Sequence, residues 1–321
     1  MKMLGKALLA AVAVLLPTVA TAQTFPAKPI KFVVGFPAGS SIDEVSRVVM
    51  DDIRKRTGAV IVIDNRPGAL GAIGMQIVEQ ADPDGYTMMP SSSATHSSGP
   101  HLLRALQGLE PVTKLSHVGR LVRFDIAVVT ASAGAYKDVA SLVAAAKAKP
   151  GDLTYGYGSG TGQVAGATFG RVAGLDGRPI PYKGQPAALM DLLGQRIDYV
   201  ASDLGAVLGH VQHGTLKAVA LMAEKRSSIL PDVPTVAELG IAGAVLTGWI
   251  GIDGPAKLAE PARLWWTEQL EKSIASPEVR EKLAKIGMEA APLFGASFAT
   301  FVETEYGRWG EQVKQAGIQA E

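Results

Sequence analysis

Between residues 30 and 36 the chain is apolar except at Lys31, and the turn Pro37-Ala38-Gly39-Ser40 ends the run. An apolar run of that length, closed by turn residues, predicts a buried strand. Beyond it Ile42, Val45, Val48, Val49 and Ile53 recur at the i, i+3, i+4 spacing of a core-facing helix. Ser41 and Glu44 fit an S-x-x-E capping box at its start. Strand, small-residue turn and helix start together aim free N–H groups and the positive helix end at one spot, which suits an anion. The pattern returns mid-chain. Residues 153–157 form a short strand, Gly158-Ser159-Gly160-Thr161-Gly162 a turn, and Val164, Phe169 and Val172 the apolar face of a helix beginning at Gln163. Two such turns, one per half of the chain, predict two anion-binding lips that face each other.

The other segments alternate in the same way. Strands are expected at 60–63, 86–89, 124–130, 197–203 and 216–222, and a strand end at 180–184. Helices are expected up to Glu79, over 136–148 and 186–193, through His210, and in the tail over 261–274, 277–286 and 297–316. A stiff loop at 230–235 precedes a short helix ending at Gly240, and the Gly68, Gly71, Gly74 spacing reads as close packing before the second helix. Alternating strands and helices predict parallel sheets covered on both faces, with ligands at the carboxyl ends of the strands. The hydroxyl-rich run from Pro90 to His96 falls on that edge. The 124–130 strand has no helical partner and carries the chain into a second domain, and the apolar segment 245–252 brings it back. Two crossings predict a hinged pair rather than beads on a string: residues 23–124 with 250–321, and residues 125–249.

Composition narrows the setting. Residues 1–22 read as an export signal, with Lys2 and Lys6, an apolar core at 7–16, and Ala20-Thr21-Ala22 as the cleavage site before Gln23. That core is too short to span a bilayer, and no later run reaches ~18 apolar residues. The remaining chain is therefore expected to be exported and soluble. The absence of cysteine removes disulfides, thiol chemistry and a lipidated cysteine at the cleavage site. A 47% hydrophobic content supplies a core without them. Lys+Arg 31 against Asp+Glu 30 leave a net charge of +1 and no basic block, which argues against nucleic acid or an anionic membrane surface as partner.

A set of short motifs carries a family resemblance: Pro26-Ala27-Lys28-Pro29-Ile30 leading to Phe36-Pro37-Ala38-Gly39, then Asp64-Asn65-Arg66-Pro67-Gly68-Ala69, and Asp82 with Gly85-Tyr86-Thr87. It continues with Pro181-Tyr182-Lys183-Gly184, Leu230-Pro231-Asp232-Val233-Pro234-Thr235-Val236-Ala237-Glu238, and Arg308-Trp309-Gly310. In this order and spacing the chain resembles, over nearly its whole length after the signal, the Bug-type periplasmic solute receptors of tripartite tricarboxylate transporters. The resemblance implies a two-domain α/β, type II-like periplasmic binding protein fold, each domain a mostly parallel sheet flanked by helices and the two joined by crossing strands. It also implies closure on a small carboxylate (a di- or tricarboxylate, an amino acid or an aromatic acid), delivery to the transporter's membrane components, and a monomer needing no cofactor. Carried onto this chain, the carboxylate-holding turns are Pro37, Ala38, Gly39 and Ser40, and then Ser159, Gly160, Thr161 and Gly162. Two features depart from the family pattern. Ser40 stands where relatives usually have a second Gly, which narrows the pocket or adds a hydroxyl. The central turn lacks the extra residues and the His that many relatives carry.

Other side chains are weighed singly. Asp43 either supports its helix start or meets a ligand amine or hydroxyl, and Asp203 either caps a helix or contacts the ligand. Ser93 and Thr95 end a strand on the ligand edge, and Tyr182 closes a pocket wall or packs. His210 and His213 lack a third ligand for zinc, so no metal is expected. The Trp265-Trp266 pair and Trp309 read as core packing. Rival functions find less support. Gly160-Thr161-Gly162-Gln163-Val164-Ala165 matches the dinucleotide fingerprint, but the nearest acid, Asp176, falls short of the ~20-residue spacing to the ribose contact. A serine hydrolase elbow fails because Tyr157 occupies its first Gly position. The expectation is a non-enzymatic receptor, with an extracytoplasmic sensor as the alternative and a hydrolase or oxidoreductase behind it.

Overall fold

The computed structural model describes residues 25–103, 111–241 and 243–320, so the export signal expected at 1–22 lies outside the described residues. Strand β1 (Ile30–Val34) runs parallel between β2 (Ile61–Asn65) and β3 (Thr87–Ser92). Successive side chains of a strand point to opposite faces. Ile30, Phe32 and Val34 join Val45, Val49 and Ile53 of α1 (Ser41–Thr57) and Trp266 of α8 (Glu260–Ala275). Val33 packs on the other face with Met75 and Val78 of α2 (Ala72–Glu79). Burial on both faces explains the unbroken apolar run, and the exception, Lys31, is partly exposed and pairs with Asp64 at 3.1 Å. The glycine spacing does serve packing: a Cβ on Gly35 would lie 2.8 Å from the Gly71 carbonyl, and one on Gly74 2.7 Å from the Gly35 Cα.

The second parallel trio is β5 (Thr154–Tyr157) between β6 (Arg178–Pro181) and β7 (Tyr199–Asp203). Around it lie α4 (Val139–Ala148), α5 (Gly160–Ala173), α6 (Gln185–Leu193) and α7 (Leu204–Gln212). Linking the trios are two antiparallel strands, β4 (Leu115–Ala131) and β9 (Thr247–Pro255). β4 is far longer than the 124–130 strand expected. From Leu115 to Asp125 it pairs with β9, and from Ile126 onward with β7 and β8 (Leu216–Leu221). The sheet order is β2-β1-β3-β9-β4-β7-β5-β6, with β8 and β10 (Glu289–Phe294) added to β4.

Several boundaries differ from expectation for local reasons. α1 starts at Ser41, but its cap is Ser40, whose Oγ accepts the Asp43 N–H at 3.4 Å, so the Ser41/Glu44 box is not the one used. The Ser41 hydroxyl donates to Asp203 instead. α5 begins at Gly160, three residues before Gln163, because Ser159 caps it. The short helix before Gly240 is a single turn, closed by the Leu239 N–H on the Thr235 carbonyl at 3.0 Å. β10 was not anticipated: Glu-Ala-Ala-Pro-Leu-Phe has no period-2 pattern, and its proline sits at an irregularity in the pairing. The tail helices α8, α9 (Pro277–Lys285) and α10 (Gly295–Gln315) lie within two residues of their expected limits.

Candidate functional site

Four helix starts meet where the two trios face each other: α1 from the first, and α5, α6 and α7 from the second. A π-helical turn, Ser93–Ser98, joins them by continuing β3 past its cap Ser92. Between them lies a cavity of about 40 Å³, roughly three water-sized positions and so about the size of one carboxylate group. Ser40 and Ser41, Ser93, Ser159 and Thr161, Gln185 and Asp203 reach it, and Phe36, Phe124 and Ile250 seal it.

The polar groups around it are partly spent. The first N–H groups of each helix have no intrahelical acceptor, and caps satisfy some: Ser159 Oγ takes the Gly162 N–H at 3.1 Å and Asp203 Oδ1 the Ala206 N–H at 2.9 Å. Gln185 is 6% exposed; its Oε1 accepts the Gly158 N–H at 3.2 Å, and its Nε2 has no partner. Two hydrogen bonds cross between the trios. Ser93 Oγ lies 3.1 Å from Thr161 Oγ1, and the Ser41 hydroxyl donates to Asp203 Oδ1. Burial pushes the Asp203 carboxyl above its usual range, against the Ser41 and Ala206 hydrogen bonds that favour its charge. Burial, with Asp203 and Asp43 nearby, likewise raises Glu44.

The residues singled out from sequence fall in several places. Ser40, Ser93, Ser159, Thr161 and Asp203 line the small cavity. Pro37 and Tyr182 line a larger neighbouring cavity of about 660 Å³. Ala38 and Gly39 face solvent, Gly160 packs against the π-helical turn, and the Gly162 N–H is taken by its cap. Asp43 and Thr95 turn into private networks. Asp43 accepts from the Gly39 N–H (3.0 Å), Asn65 Nδ2 (2.9 Å) and Arg47 Nε (2.8 Å). Burial opposes its charge, yet these hydrogen bonds hold its carboxyl below the usual range. Thr95 Oγ1 lies 2.7 Å from His96 Nδ1.

Two features escaped sequence reasoning. Gln185 was overlooked, although its place just after Tyr182-Lys183-Gly184, at the head of a helix, is a signal of the kind used for the other turns. The second is a buried cluster of His96, His117 and Asp253, drawn from the π-helical turn, β4 and β9. Its members are far apart in sequence and belong to no motif. Asp253 Oδ2 accepts from His117 Nδ1 at 2.5 Å and its Oδ1 from the Ser91 hydroxyl at 2.7 Å. His96 Nε2 lies 3.0 Å from the same Oδ2. His117 Nδ1, facing the carboxylate, donates to it, and the Thr95 hydroxyl beside His96 and the Val112 carbonyl beside His117 Nε2 complete the surroundings of the cluster.

The sequence profile of the tripartite tricarboxylate transporter family receptor, TctC, matches residues 45–318. The chain belongs to this family. Among its relatives, protein BugT of Bordetella pertussis is 31% identical over 304 residues, covering 92% of this chain and 92% of BugT. The solved structure of the periplasmic binding protein BugD is 26% identical, covering 92% of this chain and all of that one at a TM-score of 0.86. R. palustris Rpa4515, solved with adipate, is 27% identical with a TM-score of 0.85 and covers 92% and 100% of the two chains. The α/β architecture described above is therefore that of TctC-type periplasmic binding proteins. Among the described residues, no helix is long and apolar enough to cross a membrane.

Proposed function

We propose that this TctC receptor captures a small carboxylate in the hydroxyl-lined cavity and presents it, without chemical change, to the membrane components of a tripartite tricarboxylate transporter. The observation that carries this reading is the convergence of helix starts from both trios on a cavity of carboxylate size lined also by Gln185, whose Nε2 has no partner. Helix N-termini and amide donors stabilise a carboxylate without a buried counter-cation, avoiding the desolvation of a full ion pair. The adipate bound to Rpa4515 agrees in ligand class. The domains are residues 23–124 with 250–321 and residues 125–249, working as a monomer that closes over the ligand. Ser41–Asp203 and Ser93–Thr161 are then contacts of the closed form.

The test is thermal melting of the purified protein, unfolded and refolded to strip host ligand, against a carboxylate panel. A ligand at ~100 times its dissociation constant adds roughly 2.7 kcal/mol and a visible rise in Tm. A flat panel, or turnover of a bound acid, overturns the proposal. Export is read by N-terminal sequencing of the cell-expressed protein: a start at Gln23 supports removal of residues 1–22, and a start at Met1 refutes it.

A further inference from the structure

The small cavity accommodates a carboxylate group and little else, so the rest of any ligand has to leave it. The direction is set by two residues. Phe36 and Gly158 line both the small cavity and the 660 Å³ cavity beside it, so the two spaces adjoin. The larger one straddles both trios, with Pro37 and Leu70 from the first facing Tyr182 and Lys183 from the second.

Its walls are mostly apolar. Tyr182 contributes its ring, because its hydroxyl is turned away to donate to Asp191 Oδ2 at 2.8 Å. The loop opposite is held in an unusual conformation: Gly68, Ala69, Leu70 and Gly71 all have positive φ, of 142°, 46°, 53° and 96°. Alanine and leucine rarely adopt such a backbone, and strain of this kind concentrates at ligand clamps. Lys183 is the one charged residue in this lining, it is exposed, and no described carboxylate pairs with it.

Resting on the carboxylate reading above, we infer that the preferred ligands are elongated diacids. One carboxylate occupies the small cavity, an apolar aliphatic or aromatic body lies along Phe36, Pro37, Leu70 and Tyr182, and the distal anion meets Lys183. Short polar diacids would leave the apolar walls wet and the lysine out of reach.

The experiment is titration calorimetry on the refolded, ligand-free protein with malonate, succinate, adipate, suberate and terephthalate, each longer acid paired with its monoacid (hexanoate, octanoate, benzoate). Affinity is expected to rise with the length of the apolar body, by about fourfold per methylene fully buried. Each diacid should bind about two- to fivefold better than its monoacid at low salt, the worth of a partly exposed ion pair, and that advantage should shrink at high salt. Lys183→Met should shrink it as well. If malonate or succinate binds as tightly as the longer acids, or if the diacid-to-monoacid ratio is the same in K183M, the inference is overturned while the carboxylate receptor stands. If no acid in the series binds, both readings fall.

Discussion

Replacing Asp253 with Asn tests whether the buried histidine–aspartate cluster holds the crossing strands together as a charge network. The carboxylate is fully buried on β9, 2.5 Å from His117 Nδ1 on β4 and 3.0 Å from His96 Nε2. Burial alone would raise the carboxyl, but the two imidazoles hold it far below its ordinary range. For His117 burial works the other way, yet Asp253 outweighs it and raises the imidazole. Removing one partner of such a pair costs about 3–5 kcal/mol, because the other is left buried and uncompensated. At the lower end of the usual 2–4 °C per kcal/mol, Tm should fall by about 6–10 °C.

The pH dependence is the sharper part of the prediction. A depressed carboxylate contributes stability above its unfolded value of about 3.9, lost as pH falls through the lower folded value. A raised histidine contributes fully below its unfolded value of about 6.5, lost as pH rises through the higher folded one. The pair is therefore strongest between about pH 4 and 6.5. The Tm gap between wild type and D253N, followed by circular dichroism, should be large at pH 5.5 and narrow steadily on the alkaline side. A gap that is constant with pH, or that widens toward pH 9, would refute the charge-network account and leave only packing.

Three further outcomes follow from the small cavity. Gln185→Leu removes the free amide donor, and a hydrogen bond to a charged group is worth about 1.5–3 kcal/mol, so carboxylate affinity should drop about 10- to 100-fold in calorimetry; affinity within twofold of wild type would remove Gln185 from the site. In Gly160→Val the new Cβ would lie 2.6 Å from Ser98 Oγ and 3.2 Å from the Ala94 carbonyl, wedging α5 off the π-helical turn. Its far-UV spectrum should match wild type while ligand binding is lost, and normal binding would show that the approach is not needed. Asp203→Asn keeps a competent N-cap but removes a buried charge whose folded pKa is raised, a group that destabilises the fold as pH rises. D203N should therefore equal or exceed wild type in Tm at pH 7.5, with the difference vanishing at acid pH; a clear loss at pH 7.5 would contradict this.

The parts of the fold written in local patterns were legible in the sequence. β1 could be recognised because both its faces are buried, and the helix starts because small hydroxyl residues sit at their caps. The length of β4 was not, since Ser116, His117, Arg120 and Arg123 interrupt its apolar run. They are tolerated because Ser116 Oγ accepts the Leu258 N–H, His117 pairs with Asp253, Arg120 donates to the Ala291 carbonyl and Arg123 pairs with Glu289. None of those partners is near in sequence. The turns were located correctly, but which of their N–H groups stay free was hidden. Pro37 has no N–H to offer, the Gly39 N–H is taken by Asp43, and the Ser40 N–H by the Pro37 carbonyl at 3.2 Å. A turn's chemistry reads from its residues, whereas the groups it leaves unspent depend on distant neighbours.

The long strand β4 has a mechanical consequence. Its pairing with β9 ends opposite Thr247 at Asp125, and its pairing with β7 begins at the next residue, Ile126, opposite Asp203. A single peptide unit is thus the fulcrum of a lever whose short arm ends beside the cavity. A tilt of one trio against the other about that unit would move Asp203 relative to the Ser41 hydroxyl that donates to it. The contact that such a tilt would strain is therefore also part of the small cavity's wall.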